Sequence, residues 1–226
     1  MAAKLARTAK TAKTAKPAPK SRRAPAGRSP GKTKAAAPRL APPADERLTP
    51  EQRALIAAIR SGPRGKDTEM RGPFAVFLHA PRYGQLAQQL GGHCRLETSV
   101  PPRLSEFAIL VTARLWRAQY EWHVHAPTAR RAGVTAQTIR DLRAGRKPSA
   151  APKDERAVYD FIHELYRNKR VSDRTYGRMH ALLGDAGMVE LTGILGYYAL
   201  VSMSLDVFRM PLPEGVASPF AEPRRS

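Results

Sequence analysis

The chain has 226 residues and a formal net charge of +20, from 39 Lys or Arg against 19 Asp or Glu. That length holds one domain of ordinary size plus a tail. Cys94 is the single cysteine, which excludes an intramolecular disulfide and a cysteine-rich metal centre.

The charge is unevenly spread. Residues 1–44 carry twelve Lys or Arg and no Asp or Glu, whereas the rest of the chain carries 27 basic and 19 acidic side chains. This stretch is Lys, Ala, Thr and Pro with a short Thr-Ala-Lys repeat at Thr8, Thr11 and Thr14. It cannot bury enough apolar surface to offset chain entropy, so residues 1–47 read as a disordered basic tail. The tail resembles the lysine-alanine-proline arms of histone H1-like proteins. As a cationic arm it would touch nucleic acid through Lys10, Lys13, Lys16, Lys20, Arg22 and Arg23, without sequence selectivity. A solvated extension is the competing reading of this stretch, and its composition also permits a transit peptide, though Lys outnumbers Arg. No N-terminal apolar segment reads as a secretory signal, and the lone cysteine suits a reducing compartment, so a soluble cytoplasmic protein is expected.

Folded structure is expected over residues 48–212. Thr49-Pro50-Glu51-Gln52 supplies an N-cap, a proline at the first helical position and a capping-box glutamine, which opens a helix to about Arg60. A charged, glycine-containing loop follows to Pro73, then a short apolar turn from Phe74 to His79. A second helix is expected from Arg82 to about Gly91, stopped by Gly91-Gly92. Pro101-Pro102 opens the next helix, in which Leu104, Phe107, Ala108, Val111 and Leu115 form one apolar stripe. Ile109, Leu110 and Ala113 make the opposite side apolar too, so this helix is interior, and Glu106 sits among them. A carboxylate there must be paired, protonated or functional. Glu121 and His125 then recur at i and i+4, with Trp122 nearby.

No Gly or Pro interrupts Arg103 to Ala126, so pattern alone permits one continuous helix. Glu106 and His125 would then stand roughly 28 Å apart at 1.5 Å per residue and could not share a site. Further on, Pro127, two residues beyond His125, is expected to kink its helix. Helices are expected from Thr135 to Arg143, Asp154 to Asn168 and Ser172 to Leu183, and from Met188 to Phe208 after a separator at Gly187. Leu191 to Leu205 is too short an apolar run for a membrane span, about 20 residues, and reads as a buried core helix. Residues 213–226 read as an irregular C-terminal tail. The fold class is all-α, a single helical bundle.

The stretch around Glu106 and His125 resembles the carboxymuconolactone decarboxylase and alkyl hydroperoxidase D-like superfamily of small all-α proteins. Redox members carry Glu, eleven residues, Cys, two residues, Cys, three residues, His. On this chain Glu106 and His125 match the outer positions, and Ala118 and Glu121 stand where the cysteines would be. The Arg117 to Trp122 run is similar to a cysteine-less branch. The resemblance implies a tight break near Arg117 to Gln119 that folds the next helix back, and a homo-oligomer, a trimer or hexamer. It also implies a site built from His125 as proton carrier, Glu106 orienting it and Glu121 as second acid or base. A buried structural Glu–His–Glu network is the competing account of these residues. Without the cysteine pair, thiol peroxidase chemistry has no nucleophile. Decarboxylation or isomerisation of a small organic acid or lactone remains, as lyase-type chemistry with no cofactor, since no phosphate-binding loop or dinucleotide fingerprint appears. An anionic substrate would want a cation, expected from Arg114 or Arg117. Tyr120, Trp116, Trp122 and His123 are candidate pocket residues, and no metal site is expected. An oligomeric scaffold that binds nucleic acid through its tail is the alternative function.

Overall fold

The computed structural model describes residues 37–221, among which all regular secondary structure is helical. The helices are α1 (Pro50–Ser61), α2 (Pro73–Phe77), α3 (Pro81–Leu96), α4 (Pro102–Trp116), α5 (Gln119–Arg131), α6 (Ala136–Arg143), α7 (Lys153–Asn168) and α8 (Asp173–Phe208), preceded by a 3-10 turn at Asp45–Arg47. The capping box at α1 forms as its residues dictate. Gln52 N donates to Thr49 Oγ1 at 3.3 Å and Thr49 N to Gln52 Oε1 at 2.9 Å. Thr135 and Ser172 cap α6 and α8 in the same way, each accepting from the backbone N–H three residues on.

Helix α4 is the axis of the bundle, packed by α5, α7, α8 and α6. Every residue from Leu104 to Ala113 is buried, as expected of a helix apolar on both sides. One core joins α4 to Val158, Phe161 and Ile162 of α7 and to Leu191, Ile194 and Leu195 of α8. A smaller cluster of Leu55, Ile59, Phe77, Leu78 and Ala87 holds α1, α2 and α3 together. Among the described residues α8 is the one helix long and apolar enough to cross a membrane, and its inner face packs against α4, α7, α3 and α2.

Two helix ends differ from the sequence expectation. Helix α3 does not stop at Gly91-Gly92 but runs through both glycines to Leu96. Each glycine costs a helix roughly 1 kcal/mol relative to Ala, which neighbouring packing overrides here. The last helical stretch breaks at Gly184 (φ 64°, ψ −176°), not at Gly187, which is buried inside the helix. A positive φ of this kind is cheap only for glycine.

Both ends of the described chain are fastened. Arg39, which sequence alone places in the tail, donates its backbone N–H to Phe208 O (2.9 Å) and its Nη1 to Val207 O (2.8 Å) at the end of α8. At the other end, the Gln119 side chain bonds both the N–H and the C=O of Phe220, each at 2.9 Å. The Phe220 ring is 7% exposed. It meets Trp122 edge to face at 5.1 Å, with the Arg114 guanidinium over it at 5.2 Å. Phe220→Ala is expected to cost about 2 kcal/mol, less than a fully enclosed Phe because the segment can detach. A lower urea midpoint with a red-shifted tryptophan emission would show this; an unchanged midpoint would mean the contact is idle.

Candidate active site

The turn between α4 and α5 decides whether a site exists. Arg117 adopts the left-handed conformation (φ 57°, ψ 29°) and ends α4, with its N–H bonded back to Arg114 O. Ala118 N then donates to Ala113 O at 2.9 Å, a closing pattern for a helix terminus, and α5 starts at Gln119. The break falls where the resemblance implies it, and the continuous helix is not formed. Glu106 and His125 meet although 19 residues separate them: the hydrogen bond between His125 Nδ1 and Glu106 Oε2 is 2.8 Å long.

Glu121, in the first turn of α5, stands on the other side of the imidazole, its Oε2 3.4 Å from His125 Nε2. That atom is buried and has no hydrogen-bond partner. Glu106, Glu121 and His125 are 6%, 4% and 2% exposed. Burial pushes the Glu121 carboxyl above the usual carboxylate range, against the pull of His125, Arg95 and Arg64. With Glu106 ionised, the shared hydrogen belongs on Nδ1, and Nε2 is the nitrogen that faces Glu121. The Tyr198 ring meets the imidazole edge-on at 5.0 Å, and Tyr197 meets Tyr198 at 5.4 Å. Burial raises the Tyr198 phenol well above its usual value, so it stays a neutral neighbour.

The other residues singled out from sequence scatter. Tyr120 is buried, its ring against Gly72 of the α1–α2 loop, and burial pushes its phenol up to about 12. Trp122 faces Phe220 of the C-terminal segment. Trp116 and His123 are half-buried. Arg114 and Arg117 do not turn toward the carboxylates. With Arg140, Arg143 and Phe220 they line a separate cleft of about 370 Å³, where Arg114 bonds Arg143 O and Arg117 bonds Ala221 O. The cations that act on Glu121 are Arg95 of α3 and Arg64 of the α1–α2 loop. Sequence gave no signal for either, because both lie far from the Glu106–His125 stretch along the chain.

Ala118, at the first cysteine position of the redox pattern, is fully buried, and Cys94 lies on α3, where burial pushes its thiol up and disfavours the thiolate. Among the described residues no group of three His, Cys, Asp or Glu side chains is placed to hold a metal ion. The six basic residues assigned to nucleic-acid contact, Lys10, Lys13, Lys16, Lys20, Arg22 and Arg23, lie outside the described residues.

No curated protein matches the chain. Residues 81–163 match the model of the carboxymuconolactone decarboxylase family. The matched segment runs from the first residue of α3 into α7 and contains Glu106, Glu121 and His125. It is this segment, 83 of the chain's 226 residues, that is similar to the carboxymuconolactone decarboxylase family.

Proposed function

We propose that the protein performs cofactor-free acid/base chemistry, decarboxylation or isomerisation, on a small organic acid or lactone. The observation that carries this is the imidazole of His125 held between two buried carboxylates, one bonded at 2.8 Å and one unbonded at 3.4 Å. Glu106 holds the ring through Nδ1, which leaves Nε2 of the neutral imidazole to take a proton from a carbon next to a carbonyl. The electron pair goes into an enolate, and protonated Glu121 returns a proton at the carbon that becomes saturated. In a decarboxylation the pair comes instead from the C–C bond that releases carbon dioxide, and the same acid protonates the carbanion carbon. The two carboxyls differ in their surroundings, Glu106 bonded to Nδ1 and Glu121 buried without a partner and pushed up by that burial, which suits them to different roles.

A panel of small lactones and β-keto or unsaturated acids, followed by carbon dioxide release and by loss of lactone absorbance, tests this. His125→Gln is expected to lower turnover about 100-fold or more with an unchanged circular dichroism spectrum. Full turnover in that variant would end the proposal.

The same reading includes self-association to a trimer or hexamer in the cytoplasm. It is supported by the outer face of α8, where Val189, Met203 and Val207 are exposed and Gly196 leaves open space for a close neighbour. The charge of residues 1–44 supports an accessory, non-specific contact with a polyanion.

A further inference from the structure

The loop between α1 and α2 carries two arginines in different circumstances. Arg71 is neutralised by Glu69 at 2.6 Å, in the open. Arg64 forms no ion pair among the described residues, and its Nε is buried without a hydrogen-bond partner. A guanidinium donor in that state costs stability unless a ligand completes it.

Arg64 is connected to the Glu106–His125 centre through two tyrosines. Its guanidinium carbon lies over the Phe74 ring, 5.3 Å from the centroid. A Cβ on Gly91 would sit 2.7 Å from Arg64 Nη2 and 2.0 Å from the Tyr197 hydroxyl. Both polar ends therefore crowd onto the bare backbone of α3 at one point. This explains why a glycine is kept inside that helix. From there the path inward is short: the Tyr197 ring touches Tyr198, and Tyr198 touches His125. The Arg64 charge also acts on Glu121 and on Tyr197.

We propose that Arg64, with the Tyr197 hydroxyl, is the specificity-determining anion holder of the site, gripping the substrate carboxylate beside Gly91 and presenting the rest of the molecule to Glu121 and His125. This rests on the acid/base reading above and adds to it the residue that selects an acid over a neutral lactone. A guanidinium over an aromatic ring and a nearby phenol are two donors suited to a carboxylate. The arginines at the α4–α5 turn cannot serve, because their donors go to backbone carbonyls on another side.

The test is binding, read by NMR on the Arg64 Nε–H and His125 ring signals of the full chain, with benzoate as probe and benzamide as its neutral isostere. Benzoate is expected to shift both signals and benzamide neither. Arg64→Gln is expected to weaken benzoate binding about tenfold or more, with Arg64→Lys in between. Unchanged affinity in Arg64→Gln, no benzoate binding at all, or shifts centred on Arg114 and Arg143 would each overturn the assignment. If benzoate binds at Arg64 but no acid or lactone is turned over, the acid/base reading fails and the anion site stands. If a substrate is turned over with the same KM in Arg64→Gln, the anion site fails and the acid/base reading stands.

Discussion

Glu121→Gln is expected to cut turnover by about 100-fold to 10,000-fold, the usual range for a lost proton-transfer group, while leaving the protein at least as stable as wild type. The stability difference between the two is expected to widen as pH rises. Burial raises the folded-state pKa of Glu121 above its unfolded value. Below the unfolded value both states hold the proton and the group costs nothing. Above it, the unfolded chain ionises freely, while the folded one must stay protonated or bury a charge. The stability present at low pH is therefore lost as pH rises through the folded pKa. Glutamine keeps the shape without that loss. Urea titrations of both proteins from pH 4 to pH 8, beside turnover, check the point. A variant less stable at every pH would mean that Glu121 is a structural partner of His125 and not an acid held ready for use.

The second large effect is structural. Arg103, in the first turn of α4, reaches to the start of α7, where it bonds Asp154 Oδ2 at 2.5 Å and Glu155 Oε1 at 2.6 Å. The Glu155 side chain is wholly enclosed, and its Oε2 has no partner. Arg103→Ala strands that carboxylate. A loss of about 3 kcal/mol is expected, the low end for breaking a buried pair because Arg103 itself is partly exposed. In a domain of this size that lowers Tm by about 6–12 °C. Glu155→Gln added to Arg103→Ala should recover part of the loss, since an amide tolerates the enclosure better than a charge. An additive double variant would show that the two side chains are not coupled. Asp154 acts with the opposite pH sign from Glu121. Arg103 holds its carboxyl below the usual range, so its contribution is present above the unfolded value and lost as pH falls through the folded one.

How far the sequence could be read depended on whether each feature has a local cause. The caps of α1, α6 and α8 lie within three residues of the helices they start, and were legible. So was the burial of α4, because apolar residues on both sides of a helix leave it no solvent face. The α4–α5 break was not legible from pattern. Arg117 takes a conformation that usually calls for Gly or Asn, and only the resemblance in Glu and His spacing pointed to it. Gly91 misled in the other direction, since its reason is the Tyr197 hydroxyl, 106 positions along the chain. The buried Glu155 and the docking of Phe220 escaped for the same reason. Each depends on a partner that nothing nearby in the sequence announces.

The strap formed by residues 219–221 also sets which parts of the protein can open alone. It grips Gln119 and Arg117, at the turn that leads into α5, and makes no hydrogen bond to the buried middle of α4 among the described residues. Release of the strap would free the first turn of α5, which holds Glu121, while α4 stays locked between α7 and α8. Amide hydrogens of residues 121–124 should therefore exchange with solvent through a partial opening well below the global unfolding free energy, and those of residues 107–112 only through global unfolding. The half of the site that donates protons would then breathe, and the half that orients the imidazole would not.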